Sequence, residues 1–391
     1  MYPPHHLGGY ELVWQAAMRR ARSDGHEVRV LTTGHREPGV AEPYEPDVHR
    51  ELEWYWHEHE FRRPSLRSTL LIERRNAAIL RRHLEGFRPD VVSFWSMGGM
   101  SLSLVERVAA SDIASALVVH DDWLDYGPRA DAWMRRWLGP RRRRAGRIAG
   151  GLTGIPASFG TDREELVLAN SEYVLRRARD RDYRFARAEV VSPGVDDALL
   201  DAADERPWSW RLLCVGRLDA RKGIDVALAA LEELPREAEL TIAGSGDAAY
   251  EETLRVLAGG EALRDRVRFA GQVGREDLPR LYAEADAVVF PVRWEEPFGL
   301  VPLEAMGVGR PVVATARGGA AEYLRDGENA LVVPAGDPTA IARAVERLAD
   351  DAELRGRLRA GGLATASEHT AADFERRIVE ELAGAANAPA R

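Results

Sequence analysis

Two acids and two cations carry most of the chemistry that this sequence offers. Glu296 and Glu304 are separated by seven residues in FPVRWEEPFGLVPLEAMGVGRPVVA, which runs from Phe290 to Ala314. The stretch predicts a buried strand end, a loop containing Gly299, a short helix opening at Leu300, Val301 and Leu303, and a second apolar strand. The first N–H groups of such a helix are unpaired and sit at the positive end of its dipole, which suits phosphate. A carboxylate in the first turn accepts hydrogen bonds from two neighbouring hydroxyls, as a ribose presents. Upstream, Gly216-Arg217-Leu218-Asp219-Ala220-Arg221-Lys222-Gly223 follows an apolar run and precedes a helical pattern. Arg217 and Lys222 thus fall at the carboxyl end of a strand, placed to neutralise a diphosphate. A solvated charged loop is the alternative for this segment alone, but the two acids downstream favour a diphosphate seat.

Such a seat needs parallel strands with their carboxyl ends on one side. The first half predicts strands at 28–33, 90–95, 116–120, 166–170 and 189–192, with helices at 10–23 and 66–85 between them. The second half predicts strands at 212–216, 240–243, 267–270, 287–291, 312–315 and 331–334, with helices at 223–234 and 247–257. Alternation of this kind implies parallel βαβ units in open, doubly wound sheets. At 391 residues the chain exceeds one ordinary core. An acidic, apolar-poor stretch at 196–207 marks the expected linker. Residues 1–200 then form an acceptor-binding Rossmann-like domain and 208–365 a second, nucleotide-sugar-binding one, facing each other across a cleft. A C-terminal helical segment, 366–391, is expected to pack back on the first domain. The Gly8-Gly9 pair opens a helix with no strand before it, so the chain is expected to begin one strand late.

The combination resembles the retaining family 4 glycosyltransferases, whose fold is GT-B. The resemblance rests on the Glu-seven-Glu motif at Glu296 and Glu304, the cations Arg217 and Lys222, Gly8-Gly9, His120 after a first-domain strand, and the turn from Ser192 to Asp196. It covers nearly the whole chain, most strongly 211–334. By that resemblance Glu304 holds the ribose, while Arg217 and Lys222 hold the diphosphate. Glu296 lies beside the donor sugar, with Phe298, Gly299, Leu300 and Val301 wrapping sugar and phosphate. Gly216 and Gly244 belong to nucleotide-facing turns, and Val273 contacts the base through its backbone. Gly8 and Gly9 approach the phosphate, and His120 contacts the sugar. The resemblance implies a metal-independent hexosyltransferase with no cofactor. A nucleotide-diphosphate sugar, UDP-sugar favoured, is its co-substrate, and the acceptor is a small molecule, a glycan or a lipid-linked molecule. The chain departs from the family at Gly318-Gly319-Ala320-Ala321-Glu322, where the family often has proline in the fourth position. Two other readings fit part of the pattern: a nucleotide-sugar 2-epimerase-like isomerase and a non-catalytic nucleotide-sugar-binding protein. An isomerase needs several acids and bases, and the first half offers His120, Asp121 and Asp122.

Other motifs carry less. Gly244-Ser245-Gly246 is a weak dinucleotide fingerprint, because no acid ends the next strand. Asp121-Asp122 is a poor metal site without further ligands, and His57-Glu58-His59 lacks helical ligand spacing for zinc. Trp54, Tyr55 and Trp56 lie in a stretch from 36 to 65 with little periodicity and divide between core packing and an acceptor wall. The aromatic and basic run at 133–144, from Trp133 to Arg144, suits either a solvated surface or peripheral contact with an anionic membrane. Cys214 falls within a predicted strand as a small core residue. No Gly-x-Ser-x-Gly nucleophile motif occurs.

Bulk composition limits the partners. A net charge of −9 argues against nucleic-acid binding. One cysteine fits a reducing compartment. No apolar run is long enough for a membrane span, and the first residues lack a signal-peptide pattern. A cytoplasmic enzyme, with contact at most with the inner membrane face, is the expectation.

Overall fold

The structure is a computed structural model that describes all residues except 6–7, 38, 42–44, 58–59 and 388–391. The chain divides into two compact units, Met1–Val191 with Glu375–Arg391, and Ser192–Phe374. The division thus falls ahead of the acidic stretch at 196–207. That stretch packs within the second unit, where Ala203 N–H donates to Val308 C=O at 3.1 Å and Arg359 donates to Ala203 C=O at 2.6 Å.

The first unit opens with α1 (Gly9–Ser23), β1 (Val30–Thr33) and β2 (Val48–Leu52). A small antiparallel pair follows, β3 (Trp56–His57) and β4 (Glu60–Phe61), and then α2 (Leu66–Phe87). β5 (Val91–Trp95), α3 (Ser103–Ala109), β6 (Ala114–Val119), α4 (Trp123–Ala130) and α5 (Pro140–Thr153) come next. β7 (Asp162–Ala169), α6 (Glu172–Arg179) and β8 (Arg184–Val190) complete the run. β5-β6-β7-β8 form one parallel sheet and β1-β2 another. A cavity of about 690 Å³ is lined by residues of β1, β5 and α1 among others.

The stretch from 36 to 65, which showed little periodicity, contains β2 and the β3–β4 pair. β2 reads VHREL and is half-buried over four of its five residues, so polar side chains replace the apolar alternation that would have revealed it. Tyr55 is fully buried and donates to Glu73 at 2.5 Å, whereas Trp54 and Trp56 are half-buried with rings 5.0 Å apart. Glu58 and His59 of the His-Glu-His run lie outside the described residues.

The second unit holds β9 (Arg211–Val215), α7 (Ile224–Glu233), β10 (Glu239–Ala243), α8 (Ala248–Ala258), β11 (Val267–Gly271), α9 (Leu278–Glu284) and β12 (Ala287–Phe290). α10 (Leu300–Gly307), β13 (Val312–Ala314), β14 (Leu331–Val332), α11 (Pro338–Asp350) and α12 (Ala352–Ser367) follow. The six strands are parallel, in the order β11-β10-β9-β12-β13-β14. The succession of strands across the sheet reverses between β9 and β12, and the carboxyl ends at such a reversal are where open parallel sheets bind ligands. Cys214 lies in β9, buried, with its thiol pushed up to about 12 by that burial.

α13 (Ala371–Ala386) ends the described chain, and from Glu375 onward it belongs to the first unit. There Arg377 donates to Val190 C=O at 2.9 Å, and Arg187 pairs with Glu381. No helix among the described residues is long and apolar enough to cross a membrane.

Candidate active site

The loops that flank the reversal in the second unit are the ones the sequence singled out. The loop after β9 carries Gly216 to Gly223, and the loop after β12 carries Pro291 to Gly299. They touch directly: Arg293 N–H donates to Arg221 C=O at 2.8 Å. Gly223 has φ +66°, and a Cβ on it would stand 2.1 Å from Pro291 C=O, so only glycine lets the two backbones approach.

Across this contact Lys222 Nζ lies 2.8 Å from Glu296 Oε2, and Trp294 Nε1 donates to the same oxygen at 2.7 Å. Glu296 is 9% exposed, so its charge is met by one cation and one indole N–H rather than by bulk water. Residues 74 positions apart are thereby joined over the reversal point of the sheet. Arg217 is on the same loop but turned to Asp219, which it meets at 3.0 Å and which also takes Arg221 at 3.0 Å. Burial works against the ionised Asp219, yet the two guanidiniums prevail and hold its carboxyl below the usual range. Asp219 went unmarked in the sequence, although its place between two arginines was a usable sign.

Gly299 has φ +88° and caps α10, so the chain turns into the helix through a conformation that glycine favours. Its C=O accepts a hydrogen bond from Tyr323. Leu300 and Val301 are half-buried and supply the opening N–H groups of the helix. Phe298 is 3% exposed, with its ring 5.4 Å from that of Tyr323. Its side chain anchors the loop in the core and leaves only its backbone for a ligand. Gly318 and Gly319 back the loop, with Gly319 N–H donating to Glu296 C=O at 2.7 Å.

Glu304 is the fifth residue of α10 and not in its first turn, as the sequence reading had it. Its carboxylate accepts from the buried Tyr282 hydroxyl at 2.6 Å. Burial raises its carboxyl, aided by Asp196 nearby, while Tyr282 and Arg275 oppose the rise. Val273 follows β11, half-buried, two residues before Arg275, which pairs with Asp196. Gly216 and Gly244 lie side by side: Gly244 has φ +138°, and a Cβ there would stand 1.9 Å from Gly216 C=O.

In the first unit Gly8 precedes and Gly9 opens α1, both exposed. Tyr10 accepts from Ser96 N–H at 2.8 Å and donates to Val118 C=O at 3.0 Å, which ties the helix start to the carboxyl ends of β5 and β6. His120 follows β6, its ring 4.9 Å from that of Tyr10. Burial pushes its pKa down to about 3, so the imidazole is neutral at physiological pH. Gly8, Gly9 and His120 are thus gathered by Tyr10, a residue the sequence did not flag.

Asp121 and Asp122 turn to different partners. Asp121 accepts from Trp123 N–H at 3.0 Å and Tyr126 hydroxyl at 2.8 Å, and burial pushes it up to about 6. Asp122 faces Arg177 at 3.4 Å. Among the described residues, one trio of potential ligands lies within 4.8 Å of one another, namely His49, Glu51 and His83 on β2 and α2. Arg82 already takes the Glu51 carboxylate there.

Comparison with known proteins gives the family and the fold. The family described as Glycosyltransferase Family 4 matches residues 7–199, and that described as Glycosyl transferases group 1 matches 202–363. A GDP-mannose-dependent alpha-(1-6)-phosphatidylinositol monomannoside mannosyltransferase of Mycolicibacterium smegmatis is 32% identical over 308 residues, covering 70% of this chain and 78% of that protein. The chain belongs to the family 4 glycosyltransferases.

An alpha-D-kanosaminyltransferase of Streptomyces kanamyceticus is 40% identical to this family 4 chain over 184 residues. That match spans 46% of the chain and 44% of the relative, less than half of its length. The solved sucrose-phosphate synthase of Thermosynechococcus elongatus shares the fold, with a TM-score of 0.73 at 18% identity over 98% of this chain and 96% of that one. The fold is accordingly GT-B, two Rossmann-like units built on parallel sheets.

Proposed function

We propose that this family 4 member is a retaining, metal-independent glycosyltransferase that moves a hexosyl group from a nucleotide-diphosphate sugar to an acceptor hydroxyl. The observation that carries the reading is the Lys222–Glu296 pair, joined at 2.8 Å across the point where the sheet reverses. Ligands of open parallel sheets bind at such a point. The donor diphosphate takes Lys222 and Arg217 as counter-cations and the opening N–H groups of α10 at Leu300 and Val301. Those groups meet the charge that grows on the leaving oxygen as the sugar separates. Glu304, oriented by Tyr282, holds the ribose hydroxyls, and the backbone at Val273 meets the base. Gly216 and Gly244 let the chain come close to the nucleotide. Glu296 stands beside the sugar, with Gly299 closing the loop.

In the first unit, Gly8 and Gly9 are the phosphate-facing pair and neutral His120 is the sugar contact. Uracil is the favoured base, with guanine as its competitor, since the mycolicibacterial relative is named for GDP-mannose. The acceptor is a small molecule, a glycan or a lipid-linked molecule. One buried cysteine fits work in the cytoplasm, where activated sugars are found. An isomerase would need free acids around the sugar ring, and Asp121 is already engaged by Trp123 and Tyr126.

The test is a thermal-shift series with UDP, GDP and ADP, followed by transfer assays with the sugars of the base that binds. A nucleotide at about 100 times its Kd adds roughly 2.7 kcal/mol to stability. The anomeric coupling of the product, read by proton NMR, reports retention. Inversion, or no shift with any of the three nucleotides, overturns the reading.

A further inference from the structure

The basic stretch at 133–144 does not form one patch. Trp133 and Met134 are each 1% exposed and pack in the core, and Trp137 is half-buried against it. What remains outside is α5, and its make-up is unusual for a helix on a soluble surface. Gly146 is its one buried residue. A Cβ there would meet Trp137 at 2.8 Å, and one on Gly150 would meet Ile155 C=O at 3.2 Å. Glycines therefore line the inner face and bring the helix close against the unit, leaving every large side chain outside.

The outer face has two rows. Ala145, Ile148 and Leu152 follow helical spacing on one side, with Ile148 66% and Leu152 83% exposed. Arg144 and Arg147 form the adjoining row. Residues 140–153 hold five arginines and no acid, in a chain of net charge −9. None of the five makes an ion pair among the described residues. Leu138, 40% exposed, stands just before the helix.

We propose that the outer face of α5 docks on an anionic lipid bilayer, with Ile148 and Leu152 entering the headgroup–acyl boundary and the arginines meeting lipid phosphates. The pairing of an aliphatic row with a basic one selects this partner. A nucleic acid would engage the arginines but has no use for the aliphatic row. The chain's overall negative charge does not prevent docking, because charges beyond about 8 Å are screened at physiological salt. Each arginine near an anionic surface contributes about fivefold in affinity, about 1 kcal/mol. This inference goes beyond the donor chemistry and stands whichever nucleotide is used.

The experiment is co-sedimentation of the full chain with vesicles of mixed phosphatidylglycerol and phosphatidylcholine, and with phosphatidylcholine alone. The wild type should bind the anionic vesicles at least tenfold better than the neutral ones, and more weakly as salt rises. Ile148→Ser with Leu152→Ser, and separately Arg144→Glu with Arg147→Glu, should each lose about tenfold or more. Both pairs lie on the exposed face, so unfolding temperature and transfer to a water-soluble acceptor should stay at wild-type levels. Absence of binding to anionic vesicles overturns the proposal. So does full binding by the Ile148/Leu152 variant together with tight retention of the wild type on RNA, which would mark a general polyanion site.

Discussion

Replacing Glu296 by glutamine tests the electrostatics of the site, because its two consequences have opposite signs. Without ligand, Lys222 is committed to Glu296 at 2.8 Å, with side chains 21% and 12% exposed. A hydrogen bond between charged groups in such a place is worth about 1.5–3 kcal/mol. An arriving diphosphate has to displace that bond before it gains Lys222. Glutamine keeps the shape and can still accept from Trp294, but it no longer holds the ammonium by charge. Freeing about 1.4 kcal/mol makes the nucleoside diphosphate bind about tenfold tighter. Turnover falls by about 10² or more, because the carboxylate beside the sugar is gone. Lys222→Met gives the reverse for binding: diphosphate affinity falls about tenfold or more, and turnover falls by about 10²–10³. Calorimetric titration with the nucleoside diphosphate, saturating turnover from diphosphate release, and thermal unfolding read the three effects separately. If Glu296→Gln binds diphosphate no tighter than wild type, the phosphates do not compete for Lys222. Its assignment as their counter-cation then fails.

Two further outcomes follow from the buried acids. Burial raises the Glu304 carboxyl, and only its ionised form accepts from both ribose hydroxyls, so nucleotide affinity should rise with pH above the ordinary carboxylate range. Tyr282→Phe removes the hydrogen bond that opposes the rise and should move this acid limb further up; calorimetry across the acid range checks it, and a limb that stays or moves down contradicts the role given to Tyr282. Asp131 is pushed up to about 7 by burial and by neighbouring Glu73, although it accepts N–H bonds from Leu102, Trp133 and Met134. With a folded pKa above the unfolded one, its contribution to stability is complete below about pH 4 and is lost as pH rises through about 7. The unfolding temperature of the first unit should drop by at least about 2–4 °C between pH 5 and pH 8, and Asp131→Asn should show a smaller drop from a lower start. Equal slopes for the two proteins would remove Asp131 as the cause.

Periodicity and local chemistry in the sequence determined a large part of this protein. Apolar runs such as Leu212–Val215 and Val288–Phe290 have one stable environment, the middle of a covered parallel sheet, so their spacing already implied doubly wound units. The acids and cations of the site were legible because each sits just past such a run, where strands of this kind deliver ligand contacts. β2 was not legible, since a half-buried strand tolerates polar residues and shows no pattern of its own. The start of α10 at Leu300 was legible, and at about 3.6 residues per turn Glu304, the fifth residue from it, falls just past the first turn where the sequence reading had put it.

Tertiary structure alone decided which residues meet. That Lys222 reaches Glu296, that Asp219 restrains Arg217, and that Tyr282 orients Glu304 are contacts between residues far apart in the chain or turned by a loop. It also decided that the run from Trp133 would split, with Trp133 and Met134 taken into the core and the arginines at 141–144 left outside. Sequence fixes the local preference of each segment, because that preference depends on neighbours a few positions away. Which side chains then face one another depends on how the strands order themselves in the sheet, and no short stretch of sequence contains that order.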